Sequence, residues 1–584
     1  MKKIFILICL LLATVNLMAE PIGEHRAREI ASMFFSQHTT RVASDITLEW
    51  AGDNISESSA IGSALNTSLM YIYNRGTNDG FVVVAGDSNA TPIIAYSFNS
   101  TLNINNIPEA TAAILDAWCR QVEGARKVAK PISNTTMHTT TRSNDALLCE
   151  TALWSQNEPY NLETPVIYGY RTMTGCVATA MAMICHYHRW PENGVGTTPQ
   201  YSYTDIYGIR RTVNDNPLGR KYDYDNMLSN YNDGYTDEQA NAVAALMKDL
   251  GTSVEMMYHY VSSSTFDKHV LKALTTYFGY SKSIKYVTAE SYTATEWNNI
   301  IRENIREYGP TYFSGASQNG GHAFVVDGFD TDDYFHFNFG WSGYGNGYYL
   351  LPSITYYLRQ AAILYLEPDK SGTSTYIDDI RLVTHGANSY YYSGIYSYAS
   401  AYATGNTFKC LMGGFNNAGI AIFDGEVKLI LCDKYGNWKE ELYTTNITNL
   451  LPGSLTYIPA PTSVSITQTI EHGDRLRLYY KGQYSSDWQW ARSKNRSTVY
   501  DELLVIATPK ELANGISFEY DKASNTITFI TKHATTANVY DAEIGNLITS
   551  FNLAAGDSTE MTITKSLMWE FSLGSDPYYI TIRK

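Results

Sequence analysis

The hydrophobic periodicity of the middle of the chain switches once, and that switch limits the folds open to it. From about residue 146, apolar residues recur at helical spacing over Gly175 to His188, Glu238 to Leu250, Phe266 to Phe278 and Ala294 to Tyr308. After that the pattern is one of strands: Pro310 to Ser314, His322 to Phe329, Tyr334 to Phe339, Gly347 to Leu351 and Ala361 to Leu366. Helices followed by strands cannot build an alternating parallel sheet, so the spacing predicts an α+β domain. Upstream, Ala27, Ile30, Ala31 and Phe34 mark a helix. The runs Leu69 to Tyr73 and Phe81 to Ala85 read as strands, and a second helical stretch extends from about Pro108 to Lys130. Beyond Lys370 only short alternating runs remain, divided by Gly, Asn and Asp, which predicts one or two β-sandwich modules.

A chain of 584 residues has room for three or four such domains, at the usual length of about 100 to 200 residues each. Its 44% hydrophobic and 17% charged residues exclude a disordered or coiled-coil chain. With 58 acidic against 43 basic residues and a net charge of -15, there is no basic footprint for nucleic acid.

The first residues, Met1, Lys2 and Lys3, precede an apolar run from Ile4 to about Leu17 and the small-residue exit Met18, Ala19, Glu20. This is the pattern of a secretory signal cleaved after Ala19, and the run is too short to span a bilayer. A secreted protein is therefore expected, with no transmembrane segment. The seven cysteines, Cys9, Cys119, Cys149, Cys176, Cys185, Cys410 and Cys432, are too few and scattered for a disulfide framework. Cys410 and Cys432 are the one pair whose surroundings suit a bridge, though buried free thiols are commoner. An exported chain that keeps free thiols needs a reason for at least one of them.

Cys176 supplies that reason, in the run Thr174, Gly175, Cys176, Val177, Ala178, Thr179, Ala180, Met181, Ala182. With Thr174 as N-cap, the thiol sits in the first turn of a helix, where free N-H groups and the dipole favour the thiolate. His186 and His188 are roughly 15 to 18 Å along that helix, too far to act as its base. They read instead as a cationic last turn before Pro191. His322 is the better base: it follows Gly320 and Gly321 and opens an apolar strand, with open backbone around it. On the next strand Asn338 is placed to orient the far ring nitrogen of His322, and Trp341 to shield that bond from water. Asp330, Asp332 and Asp333 lack the Gly and distal Glu of a calcium loop and read as a solvated turn.

These residues together resemble the streptopain family of secreted cysteine peptidases. The resemblance is carried by Trp154 to Asn161, by Thr174 to Ala182 followed by Tyr187 to Pro191, by Gly321 to Asp327 and by His336 to Gly343, in that order along the chain. It spans roughly Leu147 to Pro368, and with the upstream features it takes in the family's pro-segment. It implies a papain-like catalytic domain with a helical half and an antiparallel β half. It also implies Cys176 as nucleophile, His322 as general base and acid, and Gln156 as an oxyanion-hole donor beside the Cys176 backbone N-H. Family members often carry Trp where this chain has Phe339, which leaves open whether Asn338 or a backbone carbonyl orients the imidazole.

The expected organisation is a signal peptide at 1-19, an α+β inhibitory pro-segment at 20-145 and a peptidase domain at 146-369. A β-sandwich module at 370-510 and a C-terminal β module at 511-584 follow. Cleavage of the pro-segment is expected between about Lys130 and Leu147, around the polar, Thr-rich stretch Thr135 to Asn144, which reads as an exposed linker. The last segment, from about Asn538, is similar to C-terminal sorting domains of cargo secreted by some Gram-negative bacteria. The partners expected are protein or peptide substrates and the chain's own pro-segment, with no cofactor or metal beyond a reduced Cys176. Two rival readings use the same residues. One is a surface or host-binding protein with an inert peptidase domain, and the other an acyl transferase or ligase in which an amine captures the acyl-enzyme.

Overall fold

A computed structural model of the chain describes residues 21-39, 45-55, 68-107, 109-126, 146-317, 320-351, 359-387, 390-397, 404-405, 407-458, 462-471, 473-496, 499-504, 515-521, 526-541, 547-573 and 576-582. The signal peptide and the Thr-rich linker of the sequence analysis lie outside the described residues. The chain divides into two compact units, one of residues 1-289 with 294-373, the other of 290-293 with 374-584.

The first unit is α+β. Among the described residues its six helices are α1 (Glu24–His38), α2 (Glu109–Arg126), α3 (Cys176–His188), α4 (Asp237–Ser253), α5 (Lys268–Tyr277) and α6 (Ala294–Tyr308). One sheet of eleven strands holds β1 (Ile46–Gly52), β2 (Met70–Arg75), β3 (Phe81–Ala85), β4 (Ile93–Ser97), β5 (Leu147–Leu148), β6 (Lys285–Thr288), β7 (Thr311–Ser317), β8 (Gly320–Phe329), β9 (Phe335–Asn338), β10 (Gly347–Tyr349) and β11 (Ala361–Leu364). They are ordered β1-β2-β3-β4-β10-β9-β8-β7-β11-β6, with β5 paired to β8, and every pairing is antiparallel.

The sheet crosses from the N-terminal segment into the later part of the chain at β4 and β10, where Tyr348 faces Tyr96 and Tyr349 faces Ala95. Antiparallel pairing here extends the central sheet by four strands, so the N-terminal segment is joined to it by backbone hydrogen bonds. On those strands Tyr71, Tyr73, Val82 and Val84 pack against Ala27, Ala31 and Phe35 of α1, the three residues that α1 buries.

Helix α3 runs through the interior. Val177 to Cys185 are all buried, as expected of a helix apolar on every side. Helix α4 starts at a capping box in which Thr236 and Gln239 bond each other's backbone, which explains why it begins at Asp237.

The second unit is built of strands among the described residues. Its largest apolar clusters are two, one formed between Ile380 and Val499 and one between Ile516 and Ile580. Cys410 and Cys432 are buried free thiols, each packed in apolar surroundings. Among the described residues no helix is long and apolar enough to cross a membrane.

Candidate active site

The nucleophile's position is set by the turn before it. Gly175 is the N-cap of α3 at φ 86, a conformation that favours glycine. A Cβ there would lie 2.6 Å from Met256 Sδ and 3.2 Å from the Ser263 carbonyl. Thr174 is not the N-cap expected from the sequence. Its hydroxyl meets that of Thr179 at 2.9 Å, and Thr179 in turn donates to the Gly175 carbonyl, so the two threonines close the first turn from inside. The preceding residues are strapped down: Met173 N-H donates to the His259 carbonyl, and Ser263 Oγ donates to the Met173 carbonyl. Cys176 is therefore the first residue of the helix, on a backbone held from both sides.

His322 lies near the start of β8, where it pairs with Gly315. The backbone N-H of the next residue, Ala323, bonds to the Cys176 thiol, which brings nucleophile and candidate base together. His322 Nε2 lies 2.9 Å from the Phe339 carbonyl. A carbonyl only accepts, so Nε2 carries the proton and Nδ1 keeps its lone pair for a base's work. The imidazole stacks on Trp341, with ring centres 5.7 Å apart and planes 13° apart, and Phe324 lies along the same stack at 6.1 Å.

The Asn338 side chain does not take the orienting role that the sequence suggested. Its Nδ2 donates to Thr151 Oγ1 and to the Ala152 carbonyl, and its Oδ1 accepts from Gly340 N-H. In the pleat, the backbone carbonyl of the next residue is what reaches the imidazole, while Asn338 is spent fastening the strand that carries it. Segment 151-156 is the spine to which both halves attach. It receives Asn338, its Trp154 carbonyl accepts Ser342 N-H, and its Gln156 carbonyl accepts Thr174 N-H. Gln156 is 5% exposed, and its side-chain amide has no hydrogen-bond partner among the described residues, which leaves it available beside the Cys176 turn.

Burial dominates the electrostatics. It pushes the Cys176 thiol up to about 11, against the lowering effect of the Ala323, Val177 and Cys176 N-H groups. It pushes the His322 imidazole down to about 4, against the Phe339 hydrogen bond. Desolvation thus works against the lowered thiol pKa expected at a helix N-terminus. The expected cationic last turn of α3 is overturned in the same way. Burial lowers His186 and takes His188 down to about 4, with His188 Nδ1 3.1 Å from the Tyr280 hydroxyl. Asp330 is a half-buried turn, not a solvated one: it accepts the N-H groups of Asp332 and Tyr334 and, at 2.5 Å, the Tyr96 hydroxyl. No cluster of metal-binding side chains occurs among the described residues.

The comparisons with known proteins fall on the same segments. A Peptidase C10 family model matches residues 154–349, and a Spi protease inhibitor model matches residues 19–122. Streptopain of Streptococcus pyogenes is 30% identical over 352 residues, which cover 57% of this chain and 85% of that protein. The chain belongs to the peptidase C10 family. Membership in the C10 family makes it a cysteine-type peptidase with an inhibitor-type segment ahead of the peptidase region. The thiol protease/hemagglutinin PrtT of Porphyromonas gingivalis is 31% identical over 364 residues, 60% of this chain and 41% of PrtT, so the match spans less than half of that relative. A solved fragment of Prevotella intermedia prointerpain A is 29% identical, with a TM-score of 0.43 over 51% of this chain and 96% of the fragment.

One contributor to the geometry around His322 left no mark in the sequence: the Phe339 carbonyl is backbone, and backbone groups have no residue signature.

Proposed function

We propose that the chain is a secreted cysteine endopeptidase made as an inactive precursor, with a papain-like catalytic domain over 146-369. The observation that carries the reading is the meeting of Cys176, at the start of a buried helix, with the His322–Ala323 segment, where a carbonyl holds the imidazole with Nδ1 as the free base. His322 takes the thiol proton as Sγ attacks the scissile carbonyl. The oxyanion is held by the Gln156 amide and the Cys176 N-H. The imidazolium then gives its proton to the leaving amine, and water, activated by the same imidazole, releases the acid and restores the thiol. Trp341 keeps water from the His322–Phe339 bond, and Asn338 holds the strand that supplies the carbonyl.

Residues 20-145 act as the inhibitory pro-segment. The pairing of β4 with β10 supports this. So do the bonds that Ser100 and Asn103 make to the turn after Trp341, in which Gly345 N-H donates to Ser100 Oγ and the Tyr344 hydroxyl donates to the Asn103 carbonyl. The β regions at 370-510 and 511-584 serve in recruitment or surface sorting. The substrates are proteins or peptides.

The test compares wild type with Cys176→Ala on casein under reducing conditions, with an epoxide thiol inhibitor as a second arm. Wild type alone should lose its pro-segment, cleave casein and gain one inhibitor mass at Cys176. If wild type, freed of its pro-segment by another protease, is as inert as the variant, the peptidase reading fails. Product mass separates hydrolysis from transfer to an amine.

A further inference from the structure

Two short hairpins and a loop bring an aromatic surface to the edge of the Cys176 turn. In the first hairpin Val166 pairs with Arg171 and Ile167 with Tyr170, so the turn between them is Tyr168 and Gly169, at φ 56 and 82. A two-residue turn of this kind suits Asn and Gly, and it strains a tyrosine. Tyr168 is held there by its hydroxyl, which donates to Asp205 Oδ2 at 3.3 Å, and by the Arg211 guanidinium 4.6 Å from its ring centre. In the second hairpin Tyr201–Thr204 pairs with Arg210–Val213, and Asp205 Oδ1 accepts the N-H groups of Tyr207 and Ile209. That folded tip leaves Ile206 73% and Tyr207 59% exposed. The loop is 256-263, to which the second hairpin is tied by the Tyr201 and Tyr203 hydroxyls, donating to the Met256 and Tyr258 carbonyls.

On this frame four tyrosines from three segments meet. The ring centres of Tyr168 and Tyr207 are 5.6 Å apart and those of Tyr170 and Tyr260 5.2 Å, while the Tyr207 and Tyr260 hydroxyls lie 3.2 Å from each other. Tyr170 is 64% exposed and Val261 65%, with the N-terminal segment paired to the sheet. Single apolar groups at a surface need no explanation, but a contiguous set does. Inside the cluster Asp205 and Arg211 neutralise each other at 2.9 Å, so a partner meets aromatic and aliphatic area. The position of the cluster says which partner. The His259 carbonyl accepts Met173 N-H and Ser263 Oγ donates to the Met173 carbonyl, which ties the loop to the chain three residues before Cys176. Three extended residues span at most about 11 Å, and the six back to Tyr170 at most about 22 Å. A polypeptide lying across the thiol covers that distance with three to six of its own residues.

We propose that Tyr168, Tyr170, Tyr207 and Tyr260, with Ile206 and Val261, form an extended binding surface for the polypeptide substrate, which takes apolar and aromatic side chains three to six residues from the scissile bond. The inference rests on the peptidase reading of Cys176 and His322 above. Tyrosine supplies contact area at small entropic cost, because its side chain has only two torsions to fix. None of the six residues reaches the reacting atoms, so their contacts are the same before and during the chemical step. Such contacts lower KM on long substrates and leave kcat little changed. A peptide too short to leave the cleft gains nothing from them. Since the surface stands open in the precursor, it can hold a substrate chain before the pro-segment is removed.

The test removes two of the exposed rings together, Tyr170→Ser with Tyr207→Ser, and has two readouts. The first is the ratio of kcat/KM on casein to kcat/KM on a tetrapeptide amide, measured after loss of the pro-segment. The ratio should fall about tenfold, through KM on casein. A merely structural role would lower both rates alike and leave the ratio in place. The second is the affinity of fluorescein-labelled casein for the full-length Cys176→Ala precursor, read by anisotropy, which the same double substitution should weaken about tenfold. A ratio or an affinity that stays in place overturns the proposal. So does a dimer on size exclusion that the double substitution abolishes while casein binding is unmoved, because the surface would then serve a second copy of the chain. Wild type inert on both substrates sinks the peptidase reading, whereas an active wild type with both readouts unmoved sinks this inference alone.

Discussion

Phe339 shows how one position divides its duties between backbone and side chain. Its carbonyl orients His322, while its ring is fully buried among Phe324, Phe337 and Tyr349. The departure from the family's usual Trp therefore falls on packing, leaving the orienting bond to the main chain. Phe339→Trp should destabilise the protein by about 1 to 3 kcal/mol through overpacking, seen as a lower denaturation midpoint, without raising activity. Gln156 presents the opposite case, a buried side-chain amide with no hydrogen-bond partner among the described residues. If it completes the oxyanion hole, Gln156→Ala in the matured enzyme should cut kcat roughly 100-fold or more while KM changes little. A loss confined to KM would assign Gln156 to ground-state binding instead.

Among the elements, α3 carries the most consequence because both of its ends are committed. At the start, Gly175→Ala forces a side chain onto a positive φ and into Met256, so loss of stability and displacement of Cys176 should appear together. Thermal denaturation and inhibitor labelling of the same sample would check this, and a stable variant that labels normally would contradict it. At the other end, burial depresses His188 from 6.5 to about 4. In the unfolded chain the same imidazole gains a proton near 6.5. Between those values the unfolded state binds more protons, so stability should fall as the pH drops from about 6.5 toward 4 and level off below. His322 adds to the same limb, its folded value also being about 4. Urea midpoints of Cys176→Ala across that range would show the slope, and His188→Gln should flatten part of it.

The whole first unit is organised around one sheet that runs from the N-terminal segment to the site. The β4–β10 pairing and the grip of Ser100 and Asn103 on the turn after Trp341 do not depend on the covalent linker. A Cys176→Ala precursor nicked between residues 127 and 145 should therefore keep its N-terminal segment on size exclusion, and prompt separation of the pieces would show that the strand pairing does not hold them. The linear chain by itself determined much of this protein. Period and turn signals placed the helices of the first unit, Ala294–Tyr308 to the residue, and the strands that carry His322 and Asn338. Those signals are legible because each element must bury a stripe or a face of its own. The run around Cys176 and the Gly-Gly-His strand start stood out as candidates because a thiol nucleophile and its base demand particular side chains, whereas Gln156 was reached only through the family resemblance. What only the tertiary structure decided has no local signature. Desolvation of Cys176, His186 and His188 works against the shifts that helix position alone suggested, since burial is made by residues far away in the chain. The acceptor for His322 proved to be a main-chain carbonyl, and Asn338 turned to the 151-156 spine. Each of these depends on which strands lie side by side, and strand neighbours are chosen by the fold as a whole.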